Sequence, residues 1–117
     1  MELLILSELF KELDYQNTPL GNISLRRRKQ LKLNKDIFEV ILNDEHLMSN
    51  LFISSEVALA TIPLKEMTSN SPDILIGGLG LGYTAREVLS NTHIKSLTII
   101  EYLEPVISWH EKGILPI

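Results

Sequence analysis

The sequence contains no cysteine. This absence excludes a disulfide scaffold, a thiolate metal site and a cysteine nucleophile. Long apolar runs are also missing, because the longest aliphatic run extends only from Leu3 to Leu6, too short for a membrane-spanning helix. That run is too short for a signal peptide as well, and Glu2 has the wrong charge beside it. We therefore expect a protein of a reducing, soluble compartment, the cytoplasm.

Positive charge is scarce. Eleven basic residues face fifteen acidic ones, for a net charge of −4, so we expect no general attraction to nucleic acid. Six of the basic residues nevertheless lie between Arg26 and Lys35. Arginines at successive strand positions point to both faces of a sheet, and no aromatic residue interleaves with them to form a base-stacking platform. We interpret this segment as a solvated edge strand. The three histidines are widely separated, so no metal site is expected.

The first seventy residues predict a helix, a small antiparallel meander and a second helix. Apolar residues recur with helical spacing over 3–13, and a turn at 18–22 separates two hairpin arms, 15–18 and 23–28. Further strands are predicted at 37–42 and 46–48. A helix over 54–67 should be capped by Ser54 or Ser55 and kinked or divided by Pro63. We assign 1–70 to this part of the chain.

Residues 71–117 have a different pattern, typical of half of a doubly wound α/β sheet. A short buried-type strand at 73–76 runs into a glycine loop, and a helix at 83–89 leads to a second such strand at 97–100. Pro105 fits the first turn of a last helix, which Gly113 would end. Strand, glycine loop, helix and strand in this order predict a partial nucleotide-binding unit.

The glycine loop and the acid after the second strand are the candidate site. Four of the six glycines lie between Gly77 and Gly82, and the spacing of Gly78, Gly80 and Gly82 is Gly-x-Gly-x-Gly. This spacing is typical of S-adenosylmethionine sites, whereas a dinucleotide fingerprint needs Gly-x-Gly-x-x-Gly, which disfavours a nicotinamide-dependent enzyme. Glu101, at the end of the second strand, can accept hydrogen bonds from ribose hydroxyls. The alternatives remain a tight turn without a ligand and a solvated strand-end acid.

With this motif, Asp73 to Glu101 resembles the spermidine synthase-like branch of the class I methyltransferase fold. The resemblance covers most of the chain and implies an adenosyl-sulfonium donor, S-adenosylmethionine or its decarboxylated form. The related adenosyl nucleoside methylthioadenosine is a further candidate ligand. Gly78, Gly80 and Gly82 would line the methionine and ribose side. Glu101 would hold the ribose hydroxyls, and Tyr102 or Leu103 would lie near the adenine. A helix containing Glu56 resembles the gate region of aminopropyltransferases, where Glu56 would meet a cationic polyamine. A helix-start acid favoured by the helix dipole is the simpler account.

The chain departs from the family in two ways. Leu79, Gly80 and Leu81 stand where aminopropyltransferases have Gly-Asp-Gly, and Ile76 stands where many methyltransferases have an acid. The sequence also stops at Ile117, before the strands that carry the family's catalytic aspartate. We therefore expect this polypeptide alone not to be a competent transferase. The alternatives are that the chain forms a homodimer, pairs with a second chain that completes the sheet, or is a fragment of a longer product. It could also be a non-catalytic remnant that mainly pairs with another chain.

Overall fold

The computed structural model describes residues 8–117. The chain forms two compact units, one extending to Leu51 and the other running from Phe52 to Leu115. The helix predicted near 54–67 therefore belongs with the second unit, although the composition suggested a boundary between residues 70 and 71. The first seven residues of the chain lie outside the described part, and with them residues 3–7 of the predicted N-terminal helix.

The first unit contains a four-stranded antiparallel meander. Its strands are β1 (Phe10–Thr18), β2 (Gly21–Gln30), β3 (Lys35–Leu42) and β4 (Glu45–Ser49), in the spatial order β1-β2-β3-β4. The predicted hairpin and both later strands are confirmed. The first turn closes because Gly21 has φ +124 and the Thr18 hydroxyl donates to the Gly21 carbonyl at 2.7 Å. Such a positive φ favours glycine.

The helix predicted over 3–13 is wrong from residue 10 onward, where β1 begins. The register of β1 against β2 jumps between Glu12 and Asp14, which leaves Leu13 as the extra residue of a β-bulge. A bulge interrupts the two-residue alternation of a strand. The spacing of three between Phe10 and Leu13 therefore imitates a helical period.

The arginine-rich strand β2 is an inner strand of the meander, since it pairs with both β1 and β3. The expectation of an edge strand is wrong for this reason. The Arg28 Nε donates to the Glu39 carboxylate at 2.9 Å, so part of the basic segment is neutralised within the sheet. Ile23 and Leu25 of the same strand are completely buried.

The second unit begins with helix α1 (Ser54–Glu66), as predicted. Its N-cap is Ile53, without a side-chain capping bond, so neither Ser54 nor Ser55 caps it. Pro63 lies inside the helix and does not divide it. Ala60 of α1 is buried in a core cluster with Ile76, Ala85 and Val88.

The rest of the second unit is a parallel two-stranded sheet with its helices. It comprises β5 (Asp73–Gly77), α2 (Tyr83–Leu89), β6 (Ser96–Ile100) and α3 (Glu104–Glu111). β5 and β6 pair in parallel from Asp73 opposite Ser96 to Gly77 opposite Ile100. Pro105 lies in the first turn of α3, and Gly113 follows its end with φ +67. The predicted mixed α/β class is confirmed, and both strands deliver their C-terminal ends to one edge.

Candidate functional site

The glycine loop between β5 and α2 is held by backbone conformations that favour glycine. Gly78, Gly80 and Gly82 have φ values of +104, +52 and +91. The loop continues the sheet, because the Gly78 amide donates to the Ile100 carbonyl at 2.8 Å. It then turns back, with the Gly82 amide donating to the Leu79 carbonyl at 3.0 Å. All three glycines of the predicted motif are therefore needed for the turn itself.

The structure brings Glu101 directly to this loop. The Leu79 and Gly80 amides donate to its Oε1 at 2.9 and 3.4 Å, and the Leu103 amide donates to its Oε2 at 3.0 Å. The carboxylate thus joins the loop after β5 to the segment after β6. A carboxylate has about four lone-pair positions. Of the three bonds above, Oε1 accepts two and Oε2 accepts one.

These contacts set the charge state of Glu101. Burial raises the pKa of its carboxyl, but backbone amides of Leu103, Leu79, Gly80 and Tyr102 donate to it and lower the pKa. The amide bonds prevail, so the pKa lies below its ordinary value of 4.5. Hydrogen bonds to the ionised form have this effect. The site therefore presents a negative charge at neutral pH.

Open space adjoins the first part of the loop. A Cβ added to Gly77 or Gly78 would meet no other atom within 4 Å. Tyr102, predicted to lie near an adenine, is 65% exposed beside Glu101. A loop with room at its backbone, a strand-end carboxylate and an exposed aromatic ring fit an adenosyl nucleoside. Among the described residues no cluster of three metal-ligating acids or histidines occurs.

Helix α1 contributes a second acid near the start of α2. The Thr84 hydroxyl donates to the Glu56 carbonyl at 2.8 Å, which places Glu56 beside the first turn after the loop. Its Oε2 atom is buried and has no hydrogen-bond partner among the described residues. An acceptor in this condition is costly, and a cationic or hydroxyl group of a ligand would satisfy it.

Helix α3 supplies a contact that the sequence did not reveal. His110 lies with its Nε2 atom 2.8 Å from the Gly80 carbonyl oxygen. The preceding residue, Trp109, is buried, with 1% of its surface exposed. No motif marks His110, because its contact depends on how α3 folds back toward the loop.

An apolar groove lies beside β5, and its lining reaches the glycine loop at Gly77 and Thr84. Its volume is about 370 Å³. α1, β5 and α2 provide its walls, and its lining includes Leu59, Leu64, Met67, Leu75 and Val88. Leu75 and Leu59 are each 64% exposed. This groove offers apolar area for a partner and few groups that would orient a small polar ligand.

No family model and no curated protein matches this sequence. In structure, the chain is similar to spermidine synthase from Thermotoga maritima, with a TM-score of 0.70 and 20% identity. It is equally similar to a spermidine synthase solved in complex with the transition state analogue AdoDATO, again at TM-score 0.70 and 20% identity. Each match covers 89% of this chain, but only 35% of the Thermotoga maritima chain and 34% of the chain in the AdoDATO complex. The resemblance in fold is thus confirmed, over about a third of the length of the spermidine synthases.

The helices of residues 8–117 include none with the length and apolar character that a membrane span requires.

Proposed function

We propose that this chain is the donor-binding part of a spermidine synthase-like or methyltransferase-like transferase. The observation that carries the proposal is the direct joining of the glycine loop to Glu101, with 2.9 Å between the Leu79 amide and Oε1. This assembly lies at the carboxyl ends of two parallel strands, where nucleotide ligands bind in open α/β sheets. The similarity to a spermidine synthase that binds an adenosyl analogue supports the same class of ligand.

Each residue of the site has a defined part in this proposal. Gly78 allows a ligand to approach the backbone, and Oε2 of Glu101 accepts one ribose hydroxyl. The second hydroxyl can bind only by competing with an amide, because Oε1 already accepts from Leu79 and Gly80. Tyr102 offers a face for the adenine. When bound, the donor supplies a carbon made electrophilic by an attached sulfonium, and the protein aligns it for a nucleophile.

Glu56 is assigned to the amine of a decarboxylated donor. Its unpartnered Oε2 is buried, and α1 contacts the start of α2 through Thr84. A terminal ammonium would satisfy that oxygen by a charge-assisted hydrogen bond. Methylthioadenosine has no ammonium, so Glu56→Gln should weaken binding of decarboxylated S-adenosylmethionine more than binding of methylthioadenosine.

Calorimetric titration of the purified chain with S-adenosylmethionine, decarboxylated S-adenosylmethionine and methylthioadenosine tests the proposal. We expect saturable binding that Glu101→Ala weakens by more than about 1 kcal/mol, the scale of a hydrogen bond to a charged group. Lys112→Ala, in the C-cap residue of α3, is the control. Absence of binding in a folded chain would refute the donor site and leave the glycine loop as a structural turn.

A second candidate function is pairing with another copy or another chain that completes the sheet. β5 and β6 pair only with each other in the described part of the chain. Each therefore has an unpaired edge, and Leu75 and Ile100 on these strands are 64% and 62% exposed. Open apolar edges favour strand addition.

Sedimentation velocity over a range of concentrations tests this pairing. We expect association that Leu75→Lys weakens, because a charge on an edge strand opposes further pairing. Leu89→Lys is the matched control, since Leu89 is also 64% exposed but lies at the end of α2. If the purified chain sediments as a monomer at every concentration, pairing with another copy is contradicted.

A further inference from the structure

Gly80 of the glycine loop is bonded to side chains through both its amide and its carbonyl group. Its amide donates to Glu101 Oε1 at 3.4 Å, and its carbonyl oxygen lies 2.8 Å from His110 Nε2. One peptide segment is thus tied to β6 through the acid and to α3 through the histidine. Since a carbonyl oxygen can only accept a hydrogen bond, the Nε2 atom of His110 must carry the proton.

The ring of His110 also closes the space at the end of the loop. A Cβ added to Gly82 would lie 2.8 Å from the His110 Cε1 atom and 3.3 Å from Ile117 Cδ1. The imidazole therefore packs against the backbone of Gly82 while its nitrogen binds Gly80. The helix that carries it is itself anchored, because Val106 and Trp109 are each 1% exposed.

We propose that His110 is a positioning residue that holds the glycine loop in its ligand-binding conformation, an inference that rests on the function proposed above. Glycines at positive φ lose more conformational freedom on ordering than other residues. A loop that contains three of them binds a ligand more tightly when protein contacts have already ordered it. Glu101 orders the amide side of Gly80, and His110 orders its carbonyl side. The histidine does not itself need to touch the ligand.

Two substitutions separate the hydrogen bond from the packing. His110→Gln retains a nitrogen donor near the position of Nε2, whereas His110→Leu retains apolar volume and has no donor. Amide hydrogen exchange of Leu79 to Gly82 reports the order of the loop, and the amides of β5 and β6 report whether the sheet remains folded. Calorimetry with methylthioadenosine reports binding.

We expect His110→Leu to speed exchange in the loop and to weaken binding about fivefold to tenfold, as the loss of one hydrogen bond would. His110→Gln should leave both close to the wild-type values. The proposal would be overturned if wild type, His110→Gln and His110→Leu had equal loop exchange rates and equal affinities. It would also be overturned if both variants lost affinity equally, because packing alone would then hold the loop.

The protonation site of His110 can be measured in the wild-type protein without any variant. Nitrogen-15 spectra of the imidazole should show a protonated Nε2, and a bare Nε2 would overturn the proposal even if His110→Leu failed to fold. Should wild-type protein bind none of the adenosyl ligands, the proposed function fails. The exchange rates and the imidazole spectrum would still decide whether His110 positions the loop.

Discussion

At the scale of single residues, Glu101 has two tasks. Its carboxylate accepts from the Leu79 and Leu103 amides and so connects the ends of β5 and β6. The sequence predicted an acid at this edge and an available carboxylate for ribose. It could not predict the amide bonds, because they depend on the loop folding back over the strand end. Weaker binding by Glu101→Ala is therefore interpreted together with the amide exchange of the glycine loop, which reports the loss of loop support.

The lowered pKa of Glu101 predicts how stability depends on pH. Its folded-state pKa lies below the ordinary value of 4.5. Its stabilisation is therefore present above the unfolded pKa and is lost as the pH falls from about 4.5 through the folded pKa. Urea unfolding of wild type and Glu101→Gln should show a stability difference that shrinks over this acid range. A difference independent of pH would show that the charge of Glu101 contributes nothing.

The glycines predict a contrast between two similar substitutions. Gly82→Ala should destabilise the protein by about 1–2 kcal/mol, because φ is +91 and the new methyl group would meet His110. Gly77→Ala is the matched control, since no atom lies within 4 Å of its added Cβ. We expect its stability to change by less than about 0.5 kcal/mol. Thermal unfolding of both variants checks this, and equal losses would contradict it.

At the scale of elements, the turn chemistry and alternation of the chain predicted most strands and both later helices. α2 has the predicted bounds, Tyr83–Leu89, because a glycine loop starts it and a polar segment follows. The segment at residues 10–13 was misread, since the bulge at Leu13 depends on pairing with β2, which no local pattern records. The inner position of β2 was not predicted for the same reason, because strand order depends on pairing across the sheet.

The side chain of Asn43 connects two turns of the meander by hydrogen bonds. Its side chain accepts from the Asn22 amide at 3.0 Å and donates to the Leu20 carbonyl at 3.0 Å. Asn43→Ala should lower the free energy of unfolding by about 1–3 kcal/mol. Both hydrogen bonds are lost, and alanine adopts a positive φ less readily than asparagine does. Asn34→Ala is the control, because Asn34 shares the positive φ but does not join two turns. Equal unfolding free energies for the two variants would show that the bonds of Asn43 add nothing.

At the scale of the whole molecule, two compact units share one chain, and the proposed ligand groups lie in the second. Saturating methylthioadenosine should therefore slow amide exchange in β5, β6 and the glycine loop. A ligand at a hundred times its Kd adds about 2.7 kcal/mol to the stability of the unit that binds it. The amides of β1 to β4 serve as an internal reference. Unchanged exchange in the glycine loop at saturation would contradict the placement of the site.

The order of the strands also bears on how the chain reaches this structure. In the meander every strand pairs with its neighbour in sequence across a short turn, whereas β5 pairs with β6 across the intervening α2, with Asp73 opposite Ser96. Closing a longer stretch of chain costs more entropy, and distant pairings form more slowly. During synthesis the meander can therefore assemble while the parallel pair is still incomplete. A ligand at the proposed site would then bind only after this slower pairing has formed.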